Sequence, residues 1–141
     1  MSHQKLDQLG RSNLHYAAAD GDIAEVVALL KNGTNANLPD ANGWAPLHFA
    51  AQAGSVLVIR ALLGAGAQVD PRDTHGNTPL STATFNSRGN GDAIEVLRAA
   101  GADPWAMNKH GVSPVALARK IANYDVAQFF ADLPTEPEVA T

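Results

Sequence analysis

Cysteine is missing from this 141-residue chain, which removes a disulfide framework and a thiolate metal centre together. That absence fits a reducing compartment, and a cytoplasmic location is the expectation. No stretch approaches the roughly 18 consecutive apolar residues of a spanning helix. The opening Met1 to Gly10 is polar, so neither a membrane span nor a signal peptide is legible there. Basic residues are few as well: ten Lys and Arg, scattered, against fourteen acids, for a net charge of −4. Nucleic-acid affinity rests on a clustered excess of cations, so no nucleic-acid partner is expected. With 45% hydrophobic and 17% charged residues, the length is that of one domain with a core of its own.

Glycine, by contrast, is plentiful and ordered. Gly10, Gly43, Gly76 and Gly111 are separated by 33, 33 and 35 residues. Gly21, Gly54 and Gly89 keep the same rhythm, and so do Gly33, Gly66 and Gly101. Three tracks agreeing on one period mark a solenoid, in which each unit buries its apolar face only against its neighbours.

The stretch Asp40 to Ala51 shows what one unit does. Asn42-Gly43 favours a tight reversal with positive φ, so the segment around it forms a finger-like turn. Pro46 fits the first turn of a helix, Leu47, Phe49, Ala50 and Ala51 give that helix a closely packing face, and Gly54 stops it. Val56, Ile59, Leu62 and Leu63 recur at spacings of three and four, the pattern of a second amphipathic helix that Gly66 closes.

Trp44-Ala45-Pro46-Leu47-His48-Phe49-Ala50-Ala51, with Leu62-Leu63-Gly64-Ala65-Gly66 after it, resembles the ankyrin repeat. The resemblance covers residues 5 to 133 and implies an all-α solenoid of about four helix-turn-helix units with short β-hairpin-like finger turns. The units are expected at 6–39, 40–72, 73–107 and 108–133, within a domain spanning 1–133, and an acidic, disordered tail at 134–141. In the first unit Ser12 is expected to cap a helix that lacks the template proline. The third carries two extra residues around Asn86–Asp92, read either as a tolerated loop insertion or as a contact loop. Arg98 stands where earlier units have Leu30 and Leu63. The fourth unit is expected to end in a helix from Tyr124 to Leu133, with Tyr124, Ala127 and Phe130 turned to the core.

Catalytic and metal-binding patterns do not stand out from this background. His15 and His48 share a repeat position, at which the resemblance implies that the imidazole ties the helix start to neighbouring backbone. His75 and His110 lie on successive fingers, with stacked helices about 8–10 Å apart, too far for sharing a zinc with bonds of about 2 Å. Asp40 and Asp73 open fingers and read as turn chemistry rather than as general bases. No cofactor and no enzymatic activity are expected.

What the resemblance does imply is protein binding through finger tips and first helices. Carried over position by position, the partner-binding residues are Arg11, Asn42, Trp44, Gln52, His75, Asn77, Phe85, Asn86, Lys109 and His110. Trp44 is either an anchor for a partner or a plate lying on the adjacent finger. Trp105 either fills a gap left by the longer third unit or joins Met107 in an apolar patch, and Phe85 has the option of sheltering under the long loop. The expectation is a non-enzymatic module, monomeric when free, that binds one protein, in the sharper form as an inhibitor or immunity protein of a toxic enzyme. The alternative is an accessory or chaperone-like subunit that stabilises an enzyme without inhibiting it; an enzyme acting through the Asn86–Asp92 loop ranks last.

Overall fold

Pro46, Pro79 and Pro114 each stand in the first turn of a helix, where the missing N–H leaves no bond unmade. The computed structural model describes residues 6–135. Their order is α1 (Asn13–Ala19), α2 (Ile23–Lys31), α3 (Pro46–Ala53), α4 (Val56–Gly64), α5 (Pro79–Asn86), α6 (Asp92–Ala99), α7 (Pro114–Lys120) and a closing 3₁₀ turn, Val126–Phe130. No strand occurs among the described residues, and the chain is an all-α repeat solenoid. His3 and residues 136–141, most of the expected tail, lie outside the described residues.

The helices pack in two rows. An inner row runs α1, α3, α5, α7 and an outer row runs α2, α4, α6, each outer helix also packing on the inner helix before it. Leu14, Leu47, Leu80 and Val115 occupy one register of the inner row, and Val26, Ile59 and Ile94 one register of the outer row; all are fully buried. Truncating such a leucine to alanine typically costs about 2–5 kcal/mol. Ala17, Ala50, Ala83 and Ala118 are buried at matching positions and keep the inner helices close.

Each finger is closed by one side chain. The Asp40 carboxylate accepts the N–H groups of Asn42 and Trp44 through Oδ1, both at 2.9 Å. Asp7, Asp73 and Asn108 do the same in the other fingers. Successive fingers are joined by backbone bonds, from Ala41 N–H to the Leu9 carbonyl (2.7 Å), Thr74 to Asn42 (3.0 Å) and Lys109 to His75 (2.9 Å). The fingers are therefore linked tight turns without strands. Gly43, at φ 76°, is required twice over: a Cβ there would lie 2.9 Å from Asp73 Cα in the next finger.

Two local expectations are corrected. Ser12 does not cap α1 through its side chain; its hydroxyl lies 2.9 Å from His15 Nδ1, and the same ring nitrogen accepts the Ser12 backbone N–H. The expected helix Tyr124–Leu133 is only the five-residue 3₁₀ turn, with Val126 and Phe130 buried and Tyr124 46% exposed. Phe129 and Leu133, three residues after Val126 and Phe130 respectively, also pack on the core, so a tighter, shorter turn covers its last face. The inserted loop packs on this last turn. Gly91 is buried so closely against Phe129 that a Cβ would fall 2.2 Å from the ring, and Gly89 sits on Tyr124.

Arg98 now has an explanation. Its guanidinium donates to both carboxylate oxygens of Asp132 (2.8 Å each) and to the Phe129 carbonyl (2.8 Å), and it lies 5.3 Å from the Phe130 ring. A charge in place of leucine thus fastens the last turn to α6. The ion pair holds Asp132 below the usual carboxylate range.

Candidate functional site

Between the finger row and the inner helices runs an open groove of about 440 Å³. From the fingers it receives Trp44, Asp73, Asn77, Asn108, His110 and Val112; from the helices, Gln52, Ser81, Thr82, Phe85, Asn86 and Leu117. Its existence follows from a change in side-chain size between units. Ser81 and Thr82 stand in α5 where α3 has His48 and Phe49, so two short side chains leave the volume that an imidazole and a phenyl ring fill one unit earlier.

Those two larger rings support one wall. Trp44 is half-buried, its ring 5.4 Å from that of His48 and 4.9 Å from that of Phe49. His48 is fixed in turn: Nδ1 accepts the Ala45 N–H (3.1 Å), so the ring proton is on Nε2, which donates to the Asn77 carbonyl (2.9 Å). His15 repeats the arrangement, donating to the carbonyls of Leu38 (2.8 Å) and Trp44 (3.2 Å). Both rings are fully buried, and burial pushes both below the ordinary imidazole value. They are neutral spacers that tie one finger to the next, as the shared repeat position implies.

Phe85 also lines the groove, from the end of α5. At 71% exposure it does not shelter under the long loop. It borders the groove on one side and, on the other, a second hollow that includes Arg88, Ile121 and Tyr124. Asn86 beside it donates from its amide nitrogen to the Thr82 carbonyl (2.9 Å), and Asn108 bonds Asn77 across adjacent fingers (2.9 Å).

Of the ten residues expected to meet a partner, Trp44, Gln52, Asn77, Phe85, Asn86 and His110 come together here. Asn42 and Lys109 are exposed on fingers away from it, and His75 stacks on His110 with ring centroids 6.4 Å apart, closer than the helix spacing led one to expect. Arg11 is engaged within the fold. Its Nε–H donates to Asp40 Oδ2 (3.1 Å), and the guanidinium lies 5.0 Å from the Phe49 ring and 5.8 Å from Tyr16, so it is held in its charged form. Sequence reasoning missed Asp73, Ser81, Thr82, Asn108 and Leu117 as groove residues. The loss of bulk at Ser81 and Thr82 was the available signal.

Trp105 is half-buried against the core beneath Arg119 (5.9 Å), while Met107 beside it is 58% exposed. Among the described residues no three His, Asp or Glu side chains converge as metal ligands, and no helix is long and apolar enough to cross a membrane. Residues 14–108 match the family model described as ankyrin repeats (3 copies). No curated protein matches the chain.

Proposed function

The chain belongs to the ankyrin-repeat family, whose members are protein-interaction modules, and from that premise we propose that it binds one protein partner through the groove between Trp44 and Phe85. The observation that carries this reading is Phe85. A phenyl ring 71% exposed in the lining of a groove that also holds a half-buried indole is the kind of aromatic surface from which interfaces draw a large share of their energy. The second support is rigidity. The lining stands on helices and bonded fingers, so little conformational entropy is lost on docking. In the sharper form of the proposal the partner is an enzyme whose active surface is capped by this groove, as an immunity protein caps a toxic enzyme.

Phe85 also gives the cleaner variant. Trp44→Ala removes packing from His48 and Phe49 as well as any partner contact, whereas Phe85→Ala leaves the core untouched. The partner is isolated by affinity capture with the intact chain, and its affinity is then measured for the wild type, Phe85→Ala and Leu57→Ala. Leu57 is 62% exposed on α4, outside the groove. A loss of about tenfold or more with Phe85→Ala alone is expected. Equal losses for the two variants, or none for either, would contradict the groove. Assaying the captured partner's activity with and without the chain separates inhibition from stabilisation without inhibition.

A further inference from the structure

The carboxylates of Asp40 and Asp73 are equivalent by repeat position, yet only one has both oxygens engaged. Asp40 Oδ1 closes its finger and Oδ2 accepts from Arg11. Asp73 Oδ1 closes its finger through His75 and Asn77, both at 2.9 Å, but no described residue donates to Oδ2. The cause is a substitution in the repeat: Trp44 occupies the position of Arg11, one unit on, and the indole makes no bond to that carboxylate. Asp73 is 7% exposed and lies in the groove lining. Among the described residues, the fully buried side-chain oxygen lacking any partner is Asp70 Oδ1, so Asp73 Oδ2 keeps an opening to the groove. Oδ1 is met by two backbone N–H groups, whereas Oδ2 keeps its acceptor capacity for a donor from outside the described chain.

We propose that the groove accepts an arginine side chain of the protein partner, its guanidinium bonded to Asp73 Oδ2 between Trp44 and Phe85. This rests on the groove reading above and names the chemistry of its occupant. The fold already contains the pattern: Arg11 meets a carboxylate and lies over Phe49 and Tyr16. In the groove the carboxylate is Asp73, and the aromatic side chains in the same lining are Trp44 and Phe85. Neither lysine nor arginine lines the groove, so no internal cation from the lining competes, and Asp73 is the lone acid there. The Asn86 side-chain oxygen, without a described partner, offers a further acceptor for a planar fork of N–H donors.

The test uses the tripeptide acetyl-Gly-Arg-Gly-amide titrated into the full chain and followed by the NMR signals of the Trp44 indole N–H and the Phe85 ring. Companion titrations use the citrulline and lysine versions of the peptide. Asp73→Asn is the informative variant, because Asn108 closes its own finger with the same two bonds (2.8 and 3.0 Å) and so shows that asparagine preserves the turn. Saturable shifts at both aromatics are expected with the arginine peptide, weakened about tenfold or more by citrulline or by Asp73→Asn. Absence of saturable shifts, unchanged binding in Asp73→Asn, or equal binding of the lysine peptide would each overturn the arginine assignment. A partner affinity that still falls with Phe85→Ala while arginine binding is absent would remove the occupant and keep the groove; loss of both effects would remove both.

Discussion

His48 is where sequence, stability and the groove meet in one side chain. Its Nδ1 takes a helix-start N–H, its Nε2–H reaches the next finger, and its ring backs Trp44. Burial is the largest influence on its titration, lowering it, with the Asn77 carbonyl and then Asp73 and Asp40 acting in the opposite direction. His15 is shifted the same way for the same leading reason. In the unfolded chain both rings titrate near about 6.5, so the unfolded state takes up protons first as pH falls. The stability contributed by these neutral rings is therefore complete above that value and declines as pH drops through it towards the lower folded values. We expect the urea midpoint to fall between about pH 7.5 and 5.5, and the fall to be shallower in His48→Gln. A midpoint independent of pH in that interval would contradict the assignment. The role of these two histidines was legible because they share one repeat position, the third residue of α1 and of α3. The unengaged oxygen of Asp73 was not, because it depends on what Trp44 fails to do one finger away.

At the scale of elements, the glycine tracks were legible because left-handed backbone leaves few alternatives to glycine; Gly21, Gly54 and Gly89 all have φ between 66° and 87°. The end of the chain was not. Its last turn is defined by Arg98–Asp132 and by Phe129 against Gly91, contacts between residues more than 30 positions apart that no local periodicity encodes. The insertion and the closing turn are thus one packed unit. Gly91 has φ −91°, so a substitution there probes space rather than backbone strain. Gly91→Ala should lower stability by about 1–3 kcal/mol through overlap with the Phe129 ring. In a Phe129→Ala background the same change should cost clearly less, measured by urea denaturation of the double-mutant cycle. Additive effects would show that the loop and the turn are independent.

For the molecule as a whole, the stack was readable from period alone, since each unit repeats the same burial. The groove was readable only in part. Six of the ten expected residues line it, but its depth comes from Ser81 and Thr82 being short where His48 and Phe49 are long, and its charge from Asp73. A repeat sequence states what is shared between units, whereas a binding surface is made from their differences. The account stands on that surface, and amide hydrogen exchange of the chain alone and with its captured partner measures it most directly. Slower exchange in the fingers at 74–77 and 108–112 and in α5, with α2, α4 and α6 unchanged, is the predicted result. Protection confined to α2, α4 and α6, with the fingers exchanging as before, would contradict it.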